Sequence, residues 1–451
     1  MRIAILGIGH VGLVSGACFA SKGHRVTCID VDPDRVRALE EGRVPFFEPG
    51  LAELVAETAP ERLRATVEGA EEMAEADVIL LAVGTPFGGE RIDLDQIRDA
   101  ARRVGAALRG SRRDYPLVIV KSTVLPGTTD GVVRPILEEE SGLRAGVDFG
   151  LGMNPEFLRE GLAVSDFLTP DRVVMGGLSP RCWTIQEALY RDFPCADVLR
   201  TTNSTAEAIK YASNSLLATL ISFSNEIGNL CSTLPGVDVT EVMEGVHLDK
   251  RLSPVVGDEP PAAGDRLRPG ILSYLAAGCG FGGSCLPKDV QALAAFGDDQ
   301  GSPMGMLRSV LRTNADQPRR VVDLIRKHHP DLGGVKITVL GLSFKPGTSD
   351  IRETPALPVI RELHRQGARV RAWDPAAVEP ARGALPRSIE LTDDLSVAVD
   401  GAQVWVVLTA WPELGGLGEL AAKADPPPLV VDGRRILDPA AFHRYEGIGR
   451  G

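Results

Sequence analysis

The sequence predicts an α/β protein: two Rossmann-like doubly wound domains joined by a long central helix and a helical middle domain. Three observations carry that prediction. The chain opens on an apolar run that ends in Gly7-x-Gly9-x-x-Gly12 and continues through a helical stretch into a second strand ending in Asp30. Strand, turn, helix and strand ending in an acid return from Val335 to Asp374. Between them, from about Thr202 to Leu234, no proline occurs and no glycine before Gly228, which suits one helix long enough to cross a domain. A length of 451 residues fits about three domains, with limits expected at 1–201, 202–315 and 316–451.

The opening segment has the layout of a dinucleotide site. Gly7 permits the tight turn, Gly9 lets a pyrophosphate approach the backbone, and Gly12 lets the helix pack closely on the sheet. The Asp30 carboxylate is placed to accept from both ribose hydroxyls, which favours NAD because a 2′-phosphate would meet a negative charge.

Composition narrows the function classes. Hydrophobic content of 44% and charged content of 24% are those of a soluble globular protein, and no apolar run approaches the roughly 20 residues that span a bilayer. Met1-Arg2 leads directly into a strand without a signal-peptide core, so a cytoplasmic protein is expected. Seven cysteines, odd in number and irregular in spacing, read as reduced thiols. A net charge of −12 argues against general nucleic-acid binding, while an anionic small molecule needs only a local cationic cluster. No membrane partner and no metal are expected.

Further apolar strands, from Asp77 to Pro86 and from Leu117 to Thr128, end in small or polar residues, as parallel strands do where ligands bind. Thr85 and Thr123 are therefore cofactor-side candidates, or else satisfied turn residues. In GLGMNPEFLREG, from Gly150 to Gly161, Glu156 and Glu160 would share a face if the segment after the strand is helical, either as paired carboxylates or as a solvated surface. The long helix is expected to be capped near Ser204. It carries Lys210 and Asn214 one turn apart, where a lysine either snorkels to water or joins the amide in hydrogen-bonding an oxyanion.

Residues 252 to 277 read as a long Pro- and Gly-rich loop. In GFGGSCLPKD, which follows, Pro287 suits the first turn of a helix. Cys285 then sits at a helix start, where the dipole favours a thiolate nucleophile, and Asp289 lies one turn on. A tight turn around a small cysteine is the alternative. In the second strand-turn-helix unit Gly341 remains but the other glycines are gone, and Lys345 and Arg352 stand nearby. Cationic side chains there suit a nucleotide's phosphates, or else are surface charges of a degenerate Rossmann-like domain.

Taken together, GIGHVGLVSGACFA, FFEPGL, VGTP, KSTVLPGT, NPEFLREG, EAIKYASNS, GFGGSCLPKD and GLSFKPGTSDIRETPA resemble, in order and spacing, the UDP-glucose/GDP-mannose dehydrogenase family over essentially the whole chain. The resemblance implies NAD-dependent two-step oxidation of the C6 hydroxymethyl of a nucleotide-sugar, UDP-glucose to UDP-glucuronate as the leading expectation, TDP-glucose or GDP-mannose as alternatives. A one-step hydroxyacid dehydrogenase and a non-catalytic sensor are more distant readings. The resemblance makes Cys285 the nucleophile, Lys210 and Asn214 the oxyanion donors, and Asp289, Thr123 and Glu156 the groups that position water and move protons. It gives Phe157, Leu158, Phe281, Gly282 and Lys345 to the sugar nucleotide, together with Arg251 reaching across a homodimer built on the helix near 204–234. To the cofactor it adds Val11, Arg35, Thr85, Glu160, Lys288 and Arg352, the last moved there from the substrate phosphates. His10 departs from the family's usual aromatic in the glycine loop, and the stretch from Leu252 to Ala277 is longer than usual.

Overall fold

The structure is a computed structural model and describes residues 1–89, 91–194, 197–255 and 266–451. Its contacts divide the chain into two compact units, Met1–Ser213 and Asn214–Gly451.

The first unit is built on eight strands: β1 (Arg2–Leu6), β2 (Arg25–Ile29), β3 (Leu63–Thr66), β4 (Val78–Leu81), β5 (Leu117–Val120), β6 (Gly150–Met153), β7 (Arg172–Gly177) and β8 (Asp197–Thr201). They lie in the order β3-β2-β1-β4-β5-β6-β7-β8. All neighbours run parallel except β6 and β7, where Gly152 faces Gly177. The first six follow the order of a dinucleotide-binding sheet, which reverses direction beside β1. Register makes that reversal useful, because Leu6 pairs with both Ile29 and Leu81, so Gly7, Asp30 and Ala82 emerge side by side at one edge.

Both faces of the sheet are covered, which explains the continuous apolar runs. Ile3 and Ile5 of β1 join one buried cluster, with the helix residues Leu13, Ala17 and Phe19; Ala4 and Leu6 join another, with Ile97, Ala101 and Val104. Each Val, Leu, Ile or Phe side chain among them contributes about 1.5–3 kcal/mol on burial.

In the second unit a six-stranded sheet contains β9 (Lys336–Leu340), β10 (Arg369–Trp373), β11 (Glu390–Thr392), β12 (Val404–Val407), β13 (Leu429–Asp432) and β14 (Arg444–Gly447). Its order is β11-β10-β9-β12-β13-β14, with every pairing parallel, so it repeats the strand order of β1 to β6. The expected second Rossmann-like sheet is therefore present.

The long helix runs Asn203–Cys231, 29 residues or roughly 43 Å at 1.5 Å per residue. Its cap is Thr202, whose Oγ1 accepts from the Thr205 N–H at 3.2 Å, a hydroxyl cap near Ser204 as expected. The helical region after Cys285 is two helices, Leu286–Asp299 and Gly305–Arg326, because Gly301 turns with φ +69° and Pro303 follows. Of the long loop expected at 252–277, residues 256–265 lie outside the described residues; Val255 bridges Arg266 beside them, and Gly270–Tyr274 forms a 3-10 turn. Among the described residues no helix is long and apolar enough to cross a membrane.

Candidate active site

The turn after β1 is shaped by what its glycines lack. Gly7 has φ +107°, and a Cβ there would lie 2.5 Å from the Ala82 carbonyl oxygen. A Cβ on Gly12 would lie 1.9 Å from the Gly7 oxygen, whereas one on Gly9 would meet nothing within 4 Å. Gly9 thus borders open space above the start of the helix His10–Ser21, which has no side-chain cap. Free N–H groups and the helix dipole suit a pyrophosphate there, and Val11 stands half-buried in the first turn. Asp30 is buried and accepts from the Ile8 N–H at 2.6 Å and the Asp32 N–H at 3.0 Å, with Arg35 3.7 Å away. Each carboxylate oxygen accepts about two hydrogen bonds, so capacity remains for ribose hydroxyls. The residues fit NAD.

Thr85 donates to the Thr123 carbonyl at 2.8 Å, tying the end of β4 to the end of β5. Deeper in this unit Lys210 and Glu156 form an ion pair at 2.9 Å, with their side chains 4% and 7% exposed. Glu156 also accepts from the Leu158 N–H at 2.7 Å. Burial raises the Glu156 pKa, but the Lys210 ammonium and the Leu158 amide outweigh it and hold the carboxyl below its usual value. The Phe157 ring lies between Arg172, at 4.0 Å, and Lys210, at 5.5 Å.

The shared helical face of Glu156 and Glu160 does not exist. Residues 154–159 form neither helix nor strand, and Glu160 opens a turn, half-buried. His10 is likewise tied down: its Nε2 lies 2.7 Å from Glu48, which also accepts from the Gly161 and Ala163 N–H groups at 2.8 Å each.

In the second unit Cys285 stands at the N-cap of the helix Leu286–Asp299, with Pro287 in the first turn. The Asp289 N–H donates to the Cys285 carbonyl at 2.9 Å. Cys285 is exposed, whereas Cys18, Cys28, Cys182, Cys231 and Cys279 are buried. Burial pushes the Cys18 and Cys28 thiols up to about 12. Asp289 is 1% exposed and takes two donors at 2.6 Å, Asn214 Nδ2 and Lys288 Nζ.

The glycines before Cys285 are filled by the chain itself. A Cβ on Gly282 would lie 2.3 Å from the Glu353 oxygen, and one on Gly283 would lie 2.8 Å from the Phe344 ring. The loop is clamped further by Asn314, which bonds the Phe281 N–H at 2.8 Å and its carbonyl at 3.0 Å, and by Arg434, which donates to the Gly280 carbonyl at 2.9 Å. Lys345 is half-buried beside Phe344, with its Nζ 5.7 Å from that ring's centroid. Arg352 and Arg251 are exposed, each in an ion pair with a neighbouring aspartate, Asp350 and Asp249.

Asp374, at the position matching Asp30, is used differently. It is fully buried and takes six donors: the Leu342, Ser343, Ala376 and Ala377 N–H groups, the Ser343 hydroxyl and the Trp411 indole. That acid is committed to the fold, so the second sheet repeats the topology without the ribose-binding chemistry.

Sequence reasoning missed Lys121, Asn154, Glu48, Asn314 and Arg434. Lys121 left a signal, a lysine closing the apolar run of β5; the others left none beyond their places in loops.

Residues 1–194 match the NAD binding domain of the UDP-glucose/GDP-mannose dehydrogenase family, residues 204–316 its central domain, and residues 338–439 its UDP binding domain. The chain is 40% identical to the UDP-glucose 6-dehydrogenase of Haloferax volcanii, covering 99% of this chain and 100% of that one. It is 38% identical to the GDP-mannose 6-dehydrogenase of Azotobacter vinelandii, covering 100% and 99%. A solved UDP-glucose dehydrogenase from Pyrobaculum islandicum superimposes with a TM-score of 0.89 at 39% identity, covering 100% of this chain and 98% of that one. All three domains in family order, with full-length relatives, establish that the chain belongs to the UDP-glucose/GDP-mannose dehydrogenase family and is an oxidoreductase that uses NAD.

Proposed function

We propose that the protein oxidises the C6 hydroxymethyl of UDP-glucose to the carboxylate of UDP-glucuronate through a thioester on Cys285. The observation that carries this reading is the exposure of Cys285 at a helix start while the five other described cysteines are buried. A helix start stabilises a thiolate, and exposure lets a substrate reach it.

NAD, held by Gly7, Gly9, Val11, Gly12, Asp30 and Arg35, supplies the hydride acceptor for each of two oxidations. The chain's own groups do the rest. The Cys285 thiolate adds to the C6 aldehyde left by the first oxidation, forming a thiohemiacetal. The second oxidation turns this into a thioester, and water cleaves it, releasing the acid and the thiol. Lys210 and Asn214 are assigned to the oxyanions, which form in sequence at C6. Glu156, Asp289 and Thr123 are assigned to positioning water and moving its protons, since two buried carboxylates and a hydroxyl offer the acceptors that step needs. Thr85, Glu160, Lys288 and Arg352 complete the cofactor assignment; Phe157, Leu158, Phe281, Gly282, Lys345 and Arg251 complete that of the substrate.

UDP-glucose is chosen because full-length relatives carry that name at 40% and 38% identity. The 38% identity to a GDP-mannose enzyme makes GDP-mannose the first alternative, and TDP-glucose the second. UDP-glucose, TDP-glucose and GDP-mannose, each incubated with the protein and excess NAD, decide the matter by NADH absorbance and product analysis. The expected result is two NADH per acid formed from UDP-glucose; one NADH per product overturns the double oxidation.

We further propose a homodimer. Leu216, Phe223 and Leu230 recur every seven residues on the long helix and are 55%, 49% and 57% exposed, an apolar seam that fits the same helix of a second copy. The limits 1–201, 202–315 and 316–451 are retained as functional parts, and the cytoplasm as the compartment, where thiols stay reduced.

A further inference from the structure

We infer that Lys121 is a positioning residue for the Glu156–Lys210 pair: a second buried cation that anchors the Asn154–Glu156 backbone and balances the carboxylate it carries. The inference rests on the proposed role of that pair in the oxidation.

Lys121 follows β5 and is 2% exposed. Its ammonium donates to Asn154 Oδ1 at 2.9 Å, to the Asn154 carbonyl at 3.5 Å and to the Tyr190 hydroxyl at 3.2 Å. Tyr190 in turn donates to Asn154 Oδ1 at 2.6 Å, and Asn154 Nδ2 to the Val174 carbonyl at 2.9 Å. The chain leaving β6 is thereby fixed at Asn154, two residues before Glu156. A cavity of about 50 Å³ is lined by Lys121, Asn154, Glu156 and Tyr190. Asp166, Asp171 and Arg172 are the other charged groups on its wall, and Asp166 is paired with Arg159 at 2.6 Å.

A lysine that merely filled this space would be costly, because burying an ammonium is unfavourable unless it is paired and hydrogen-bonded. Two of its three hydrogen bonds go to Asn154, two residues before Glu156, and its charge is attracted by that carboxylate. Burial pushes the Lys121 ammonium down to about 8, opposed by Glu156 and aided by Lys210. Two cations thus share one carboxylate, and Lys121 is placed to give up its proton within the working range of pH.

Lys121→Met, nearly the same in volume, removes the charge. NADH formation from the nucleotide-sugar, followed from pH 6 to 10, is expected to show kcat about tenfold lower, as for one pKa unit of lost interaction, with KM changed by about twofold at most. The inflection expected near pH 8 in the parent disappears. Stability provides a readout independent of turnover. With a folded pKa below the unfolded 10.5, Lys121 makes the parent more stable as pH rises from about 8 to 10.5, and this rise is lost in Lys121→Met. Tyr190→Phe removes one acceptor from the ammonium and is expected to move the inflection to lower pH; it serves where the methionine variant does not fold. A Lys121→Met protein whose pH profile and pH-dependent stability both superimpose on the parent, or a Tyr190→Phe protein with an unmoved inflection, overturns the inference. Absence of NADH from every nucleotide-sugar defeats the functional reading instead, and the stability comparison then decides on Lys121 alone.

Discussion

The Asn214 side chain donates to Asp289 Oδ2 across 2.6 Å, joining the long helix to the first turn of the helix that follows Cys285. Asp289 is 1% exposed, so this contact holds a carboxylate that water does not reach freely. Asn214→Ala is expected to cost about 1–3 kcal/mol, the penalty of depriving a buried acceptor of its donor. Urea unfolding measures that loss. Asp289→Asn keeps the shape but removes the charge facing Lys288; kcat is expected to fall on the order of a hundredfold, with KM little changed, if the carboxylate handles protons. Equal kcat in the parent and Asp289→Asn would remove Asp289 from the chemistry.

Cys285 should differ from the other described cysteines in reactivity. Iodoacetamide applied to the native protein is expected to label Cys285 first, with UDP-glucose slowing the reaction, while Cys18, Cys28, Cys182, Cys231 and Cys279 stay unmodified until unfolding. Peptide mass spectrometry reads both results. Cys285→Ser is expected to yield no measurable acid, and normal acid formation by it would sink the thioester route.

Asp30 tests the choice of cofactor. Asp30→Gly removes the acceptor for the ribose hydroxyls and the charge that repels a 2′-phosphate. The KM for NAD is expected to rise by on the order of tenfold or more, while NADP becomes a measurably better substrate than for the parent. Steady-state kinetics with both cofactors would expose an unchanged preference.

Glu207 predicts a pH effect on stability. Its carboxylate accepts from the Gly127 N–H at 2.6 Å and the Thr129 N–H at 2.8 Å, yet burial pushes its pKa up to about 7 from 4.5. A folded pKa above the unfolded one means the folded state holds a proton that the unfolded chain gives up. This contribution is full below about 4.5 and is lost as pH rises through about 7. Glu207→Gln is expected to flatten that decline; parallel slopes for parent and variant between pH 4.5 and 7.5 would contradict it.

The exposed seam on the long helix predicts the oligomeric state. Phe223→Asp is expected to turn a dimer into monomers, measured by light scattering during gel filtration, because a charge at the centre of an apolar helix pair is strongly unfavourable. Dimers that persist would place the contact elsewhere.

What was legible beforehand follows from how local each signal is. The glycine turn, Asp30 and the Pro287 helix start are short-range features whose backbone consequences hold in almost any surroundings. Glu156 and Glu160 would share a face only on a helix, and their spacing does not reveal that residues 154–159 form none. Nothing in the stretch itself shows what lies against Gly282 and Gly283: the Glu353 oxygen and the Phe344 ring, 71 and 61 residues further along the chain, fill that space.

The sequence by itself determined the two Rossmann-like sheets, the long helix, the cofactor turn and the cysteine at a helix start, since periodicity and turn chemistry act within a few residues. Only the tertiary structure decided which acids are available and which are consumed. Asp30 and Asp374 end equivalent strands, but one keeps free acceptor capacity while six donors converge on the other, and Lys121 became a site residue only when β5, β6 and Tyr190 closed around it. Burial and hydrogen-bond partners are properties of the assembled fold, and no single stretch of chain contains them.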